Sequence, residues 1–131
     1  MGKIPVITRS EATCVSFDDV LYIERDRRAT IVHTSDRDFR IQDRLDEVES
    51  MLDDRFFRSH YGFIVNLQNV SNIKNGCIMM KGEEVIPLGR RSYQLTKRAY
   101  VAYLKDAVEK QKSVFKEFRV AEKKAEKYKS P

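Results

Sequence analysis

Apolar and polar residues alternate through most of the first ninety positions, and from Ser92 onward the apolar ones fall instead at steps of three and four. A step of two lines one face of a strand, and a mixed step of three and four lines one side of a helix, so the chain reads as strands followed by a helix. Ile4, Val6 and Thr8, then Ala12, Cys14 and Ser16, predict two short strands. Phe17-Asp18-Asp19-Val20 has the acidic pair of a tight turn or a 3-10 turn and leads into Leu21 to Glu24, apolar enough for an interior strand. Arg25 to Arg28 interrupts that pattern before Ala29 to Thr34 resumes it, which predicts a hairpin with a basic loop. Ser35-Asp36 is a second turn, and Arg37 to Ile41 is a strand with Phe39 and Ile41 on one face. Asp43 as N-cap, followed by Leu45, Val48, Met51 and Leu52, predicts a short amphipathic helix that covers the sheet.

The segment Arg55 to Asn66, RFFRSHYGFIVN, sets polar reach directly against an apolar run. Phe56, Phe57, Phe63, Ile64 and Val65 anchor it, at about 1.5 to 3 kcal/mol for each large side chain buried. Between them Arg58, Ser59, His60 and Tyr61 supply donors and flat rings, and Gly62 frees the backbone where the chain turns back. Asn75-Gly76 then joins Val70 to Lys74 with Cys77 to Lys81, the strongest two-residue hairpin signal in the chain. Gly82-Glu83 offers another turn, and Pro87 places the strand Val85 to Leu88 at an edge or a strand end.

The helical stretch predicts one helix of about 35 residues. Tyr100, Leu104, Ala107, Gln111, Val114, Phe118, Ala121, Ala125 and Tyr128 form a seam of the kind seen in coiled coils. The alternative is a solvated helical tail whose first turns alone pack on the domain. The expected fold is therefore mostly β, many short strands with one short amphipathic helix and a long C-terminal α-helix, divided into a domain at 1–98 and a basic helical extension at 99–131.

Composition narrows the chemistry. With 41% hydrophobic residues the 131-residue chain can build a core, and with 34% charged it has no apolar run long enough for a membrane span. No secretory-signal layout opens the chain, so a soluble cytoplasmic protein is expected. Cys14 and Cys77 lie far apart in strand-like runs and read as buried thiols. With His33 and His60 they lack the close ligand pairs of a zinc site, so no metal is expected. His33, inside a strand pattern, reads as a satisfied sheet histidine, and Asn66 as a turn cap. No phosphate loop, metalloprotease helix or nucleophile elbow occurs, which predicts no catalytic residues, no cofactor and no enzyme. Residues 91–131 hold 12 Lys or Arg against 5 Asp or Glu, so the first 90 residues carry −2 of the formal +5. A basic tail on a near-neutral body suits either a polyanion partner or a solvated helix face.

Three motifs in order carry a resemblance to a known family. Val20 to Glu24 with Thr30 to Thr34, then F-x-R-x-H-x-x-x-I-V-N over Phe56 to Asn66, then Val85 to Tyr93 with its Gly-Arg-Arg-Ser-Tyr loop, together resemble the LytTR family of bacterial DNA-binding domains over roughly residues 3 to 98. The resemblance implies that loops of a β scaffold enter successive major grooves of double-stranded DNA. Carried over to this chain, base-edge contacts fall on Arg28, on His60 or Tyr61, and on Arg90, while Arg25, Arg27 and Arg91 become phosphate partners. The first basic loop is shorter than in some members, and Tyr61 stands where a smaller polar residue is common. The implied function is a sequence-specific transcriptional regulator of a bacterium, akin to response regulators. Many members carry an N-terminal receiver domain for which this chain has no room, so it is expected to be a standalone regulator or a fragment. The rival expectation is a non-catalytic interaction module that assembles through the C-terminal helix, with a second copy or a regulatory protein as partner.

Overall fold

The computed structural model describes residues 2–127, with the side chains of its last helix described as far as Ala125. Ten strands and two helices follow the order β1 (Lys3–Ile7), β2 (Ala12–Ser16), β3 (Val20–Asp26), β4 (Ala29–Thr34), β5 (Asp38–Ile41), α1 (Leu45–Glu49), β6 (Phe56–His60), β7 (Phe63–Asn66), β8 (Val70–Lys74), β9 (Cys77–Met80), β10 (Val85–Pro87) and α2 (Arg90–Lys127). The chain divides between Ala99 and Tyr100 into two compact units. The first unit thus keeps the opening turns of α2, and the rest of that helix is the second unit.

In the first unit the strands form three antiparallel sheets. The largest has five strands in the order β5-β4-β3-β7-β6, beside a three-stranded β10-β9-β8 sheet and a β1-β2 ribbon. β3 is central because Val20 to Ile23 is buried on every position, as an interior strand demands. The core joins Ile4, Val6, Val15 and Phe17 of the ribbon and its turn to Val20, Ile23, Val32, Ile41 and Ile64 of the large sheet, with Leu45 and Val48 of α1 sealing it. Asn66 is fully buried where the sheet meets the turns. Its amide donates to the carbonyls of Phe17 at 2.9 Å and Val20 at 2.8 Å while its oxygen accepts from the Gln68 amide at 3.1 Å, which makes it the turn cap expected.

Several local expectations are corrected. α1 ends at Glu49, so Met51 and Leu52 pack on the core from outside it, and its N-cap is Arg44, with no side-chain cap bond, in place of Asp43. Burial of Leu45 and Val48 holds so short a helix, since one turn gains little from capping. Cys14 is exposed and Cys77 half-buried, because Val15 and not Cys14 occupies the inward face of β2 opposite Ile4. Asn75 at φ 54° and Gly76 at φ 75° make the expected tight hairpin, whereas Gly62 has no positive φ and its turn does not require glycine. α2 starts at Arg90, two residues before the Ser92 expected, so Arg90 and Arg91 belong to its first turn.

Candidate nucleic-acid interface

The basic hairpin loop is tighter than its sequence implies. Asp26 pairs with Ala29, leaving Arg27-Arg28 as the whole turn and Arg25 inside β3. Arg27 takes a left-handed φ of 58°, a conformation costly for a residue with a Cβ, and its carbonyl accepts from Arg25 Nε at 2.9 Å. Arg25, Arg27 and Arg28 are all exposed.

The β6–β7 hairpin is irregular where it carries its polar residues. The register slips between Arg58 and His60, a bulge that turns Ser59 inward and leaves His60 and Tyr61 exposed at the tip. Ser59, 4% exposed, lies 2.8 Å from the hydroxyl of the fully buried Thr96 in α2. His60 Nδ1 accepts from the Gly62 amide at 3.2 Å, so a neutral imidazole carries its proton on Nε2 and can donate it outward. The same ring stacks on Phe63 with centroids 5.7 Å apart. Tyr61 is 76% exposed.

These two features adjoin. The Arg25 amide donates to the Gly62 carbonyl at 2.9 Å, and Glu24, Arg25, Arg27, His60, Tyr61 and Phe63 line a shared cleft of about 500 Å³. A second cleft of about 390 Å³ is lined by Arg25, Arg27, Arg28, Arg44, Arg58, Asp46 and Tyr61. The third feature, Arg90 and Arg91, is exposed on the first turn of α2, which contains no acidic residue. Guanidinium groups at the positive end of a helix repel its dipole, and an incoming phosphate removes that penalty. Thr96 lies six residues further on, so Arg90 sits about 9 Å along the helix from the Ser59 contact. Among the described residues no hydrogen bond or ion pair joins Arg90 or Arg91 to the other two features.

Ion pairing sorts the arginines of this unit. Arg37 is tied to Glu11, Arg40 to Asp26, Arg55 to Asp18 and Asp53, and Arg58 to Asp46 and Glu49. Hydrogen bonds donated to Asp53 by Arg55 and to Asp46 by Arg58 hold the two guanidinium pKa values above the ordinary one. Among the described residues Arg9, Arg25, Arg27, Arg28, Arg44, Arg90, Arg91 and Arg98 form no ion pair, and of these all but Arg9 and Arg98 lie at the basic hairpin, the start of α1 or the start of α2. Arg44 escaped the sequence reading, although a base directly before an apolar helix start, where an acid is usual, was a visible signal. His33 is satisfied within the sheet, 2.8 Å from both Glu24 and Asp38 and stacked on Tyr22. Burial, with help from Glu84 2.7 Å away, pushes the Tyr22 phenol well above its usual range.

Leu104, Val114 and Phe118 of the expected seam are 45%, 66% and 61% exposed, Ala107, Gln111, Ala121 and Ala125 are exposed, and Tyr100 is half-buried. Tyr128 lies outside the described residues. A second apolar row went unread: Val101, Val108 and Phe115, at 40%, 48% and 57% exposed, stand one position along from the first and widen it into a broad stripe. Among the described residues no helix is long and apolar enough to cross a membrane.

The family model described as LytTr DNA-binding domain matches residues 10–101. The Accessory gene regulator protein A of Staphylococcus aureus strain N315 is 34% identical over 79 residues, 57% of this chain and 33% of that protein. Its counterpart in Staphylococcus epidermidis is 32% identical over 66 residues, 49% of this chain and 27% of that one. The chain thus spans about a third of the length of these relatives. A solved LytTr DNA-binding domain from Bacillus cereus superposes with a TM-score of 0.64 at 25% identity, over 77% of this chain and 97% of that one.

Proposed function

The chain belongs to the LytTR family of DNA-binding domains, and from that premise we propose that it regulates transcription in the bacterial cytoplasm by reading base edges of double-stranded DNA through loops of its β scaffold. The supporting observation is the bond from the Arg25 amide to the Gly62 carbonyl, which makes the Arg27-Arg28 turn and the His60-Tyr61 tip one surface. Arginine forks suit guanine O6 and N7, and the outward Nε2–H of His60 suits a single acceptor in the major groove. Arg28, His60, Tyr61 and Arg90 are the proposed base readers, with Arg25, Arg27 and Arg91, now joined by Arg44, as phosphate partners.

Selecting random duplexes with the purified protein, then titrating variants by mobility shift, tests this reading. Arg28→Ala and Arg90→Ala should each cost about 1 to 3 kcal/mol on a selected site and relax discrimination at one base pair, whereas Arg91→Ala should weaken all duplexes alike. Equal losses on selected and random duplexes for Arg28 and Arg90 would reduce them to phosphate contacts.

A second reading concerns assembly. The exposed stripe of α2, with Leu104, Val108, Phe115 and Phe118 uncovered, supports a helix that pairs with a second copy or a regulatory protein, so that the body is delivered to DNA in pairs.

A further inference from the structure

We propose that Arg58 is a positioning residue for DNA recognition: with Asp46 and Glu49 it forms a strut from α1 to the Tyr61 carbonyl that fixes the tip bearing His60 and Tyr61. This inference rests on the reading of that tip as a DNA reader. Arg58 Nη1 donates to Asp46 at 2.6 Å and to Glu49 at 3.0 Å, and its Nη2 donates to the Tyr61 carbonyl. One guanidinium thus spans two turns of chemistry, acids on one side and a tip peptide on the other. It is committed to the protein by two ion pairs, which Arg25, Arg28 and Arg44 around the same cleft do not have among the described residues.

The arrangement is poorly suited to the two other roles an arginine could take here. As a stabilising ion pair it contributes little, because the Asp46 side chain is 82% exposed and water screens the attraction. As a phosphate contact it is already neutralised by two carboxylates. Its cost is visible as well, since Arg58 Nε is buried with no hydrogen-bond partner among the described residues. What the side chain does achieve is geometric. The bulge interrupts the ladder at Ser59, so between Arg58 and the His60–Phe63 pair that closes the hairpin the strand is held irregularly. Ser59 pins the bulge to Thr96 from α2, and Arg58 pins the following peptide from α1. Planar donors in a fixed fork can make such a three-way link, and a lysine ammonium at the same place cannot repeat it.

The test uses the full chain as Arg58→Lys and as Asp46→Asn/Glu49→Gln, with three measurements. These are the thermal midpoint, the Gly62 amide resonance without DNA, and the affinity ratio between a selected duplex and the same duplex changed at the base pair that His60→Ala ceases to discriminate. Both variants should keep the midpoint near that of the wild type, shift or broaden the Gly62 resonance while leaving that of Gly76 in place, and lose about tenfold in discrimination at that one pair. The double variant should do so while binding random duplex more tightly, because two negative charges near DNA are gone. Unchanged discrimination with tighter binding to every sequence overturns the proposal, as it makes Arg58 a freed phosphate contact. Discrimination lost equally at all positions with a lowered midpoint overturns it too, as general destabilisation. A wild-type protein that selects no sequence at all refutes the reading beneath the proposal and removes both. A wild type that selects, with variants that keep the ratio, removes the strut alone.

Discussion

His60 is set before any DNA arrives, its Nδ1 taken by the Gly62 amide and its ring laid on Phe63. That leaves a single donor free, and a preset donor loses less freedom on binding than one that must be ordered. Arg27 makes the opposite trade, since it holds a left-handed φ in a turn where glycine would be unstrained. Arg27→Gly should therefore raise stability by about 1 kcal/mol in a denaturant titration. The same change should weaken binding to all duplexes and flatten the salt slope by about one charge. Loss of both stability and affinity would contradict the assignment. Some residue roles were legible in the letters: Asn66 after an apolar run caps its turn, and His33 inside a strand pattern finds acids across the sheet. Cys14 was not, because alternation defines two faces of a strand without saying which one turns inward. Nor was Arg58, whose partners lie 9 and 12 residues away in α1 and depend on how that helix packs.

At the scale of elements, patterns of two and of three and four gave the strands and the long helix, while boundaries moved wherever packing overrode local chemistry. α1 shows this, with Arg44 at its cap and Leu45 and Val48 buried beneath it. Composition also hid the width of the stripe on α2, since Val101, Val108 and Phe115 flank the expected seam one position along. The added row strengthens the case for a pairing helix, because a single column interrupted by Ala107, Gln111, Ala121 and Ala125 buries little apolar surface. Phe115→Ser/Phe118→Ser is expected to convert an associated wild type to a monomer in sedimentation velocity at tens of micromolar, with no change in the DNA sequence preferred by each unit. A wild type that is already monomeric there would leave the helix as a solvated tail and end the second reading.

On the scale of the molecule, charge and sheet topology together decide what kind of surface is presented. Six acids of the first unit pair with Arg37, Arg40, Arg55 and Arg58, and of the arginines without an ion pair among the described residues, Arg25, Arg27 and Arg28 lie at the β3–β4 hairpin, Arg44 at the start of α1 and Arg90 and Arg91 at the start of α2, while Arg9 and Arg98 lie apart from these places. In the proposed reading no helix is laid along a groove, and base edges are met from the β3–β4 turn, the β6–β7 tip and the first turn of α2. Methylation of guanine N7, which blocks the major groove and leaves phosphates alone, tests this most directly. In an interference experiment on a selected duplex, methylation should abolish binding at two or more clusters spaced about one helical turn, ~10 base pairs, on one side of the DNA. Binding that tolerates N7 methylation throughout and fails only when phosphates are ethylated would show that these loops grip the backbone and do not read the bases.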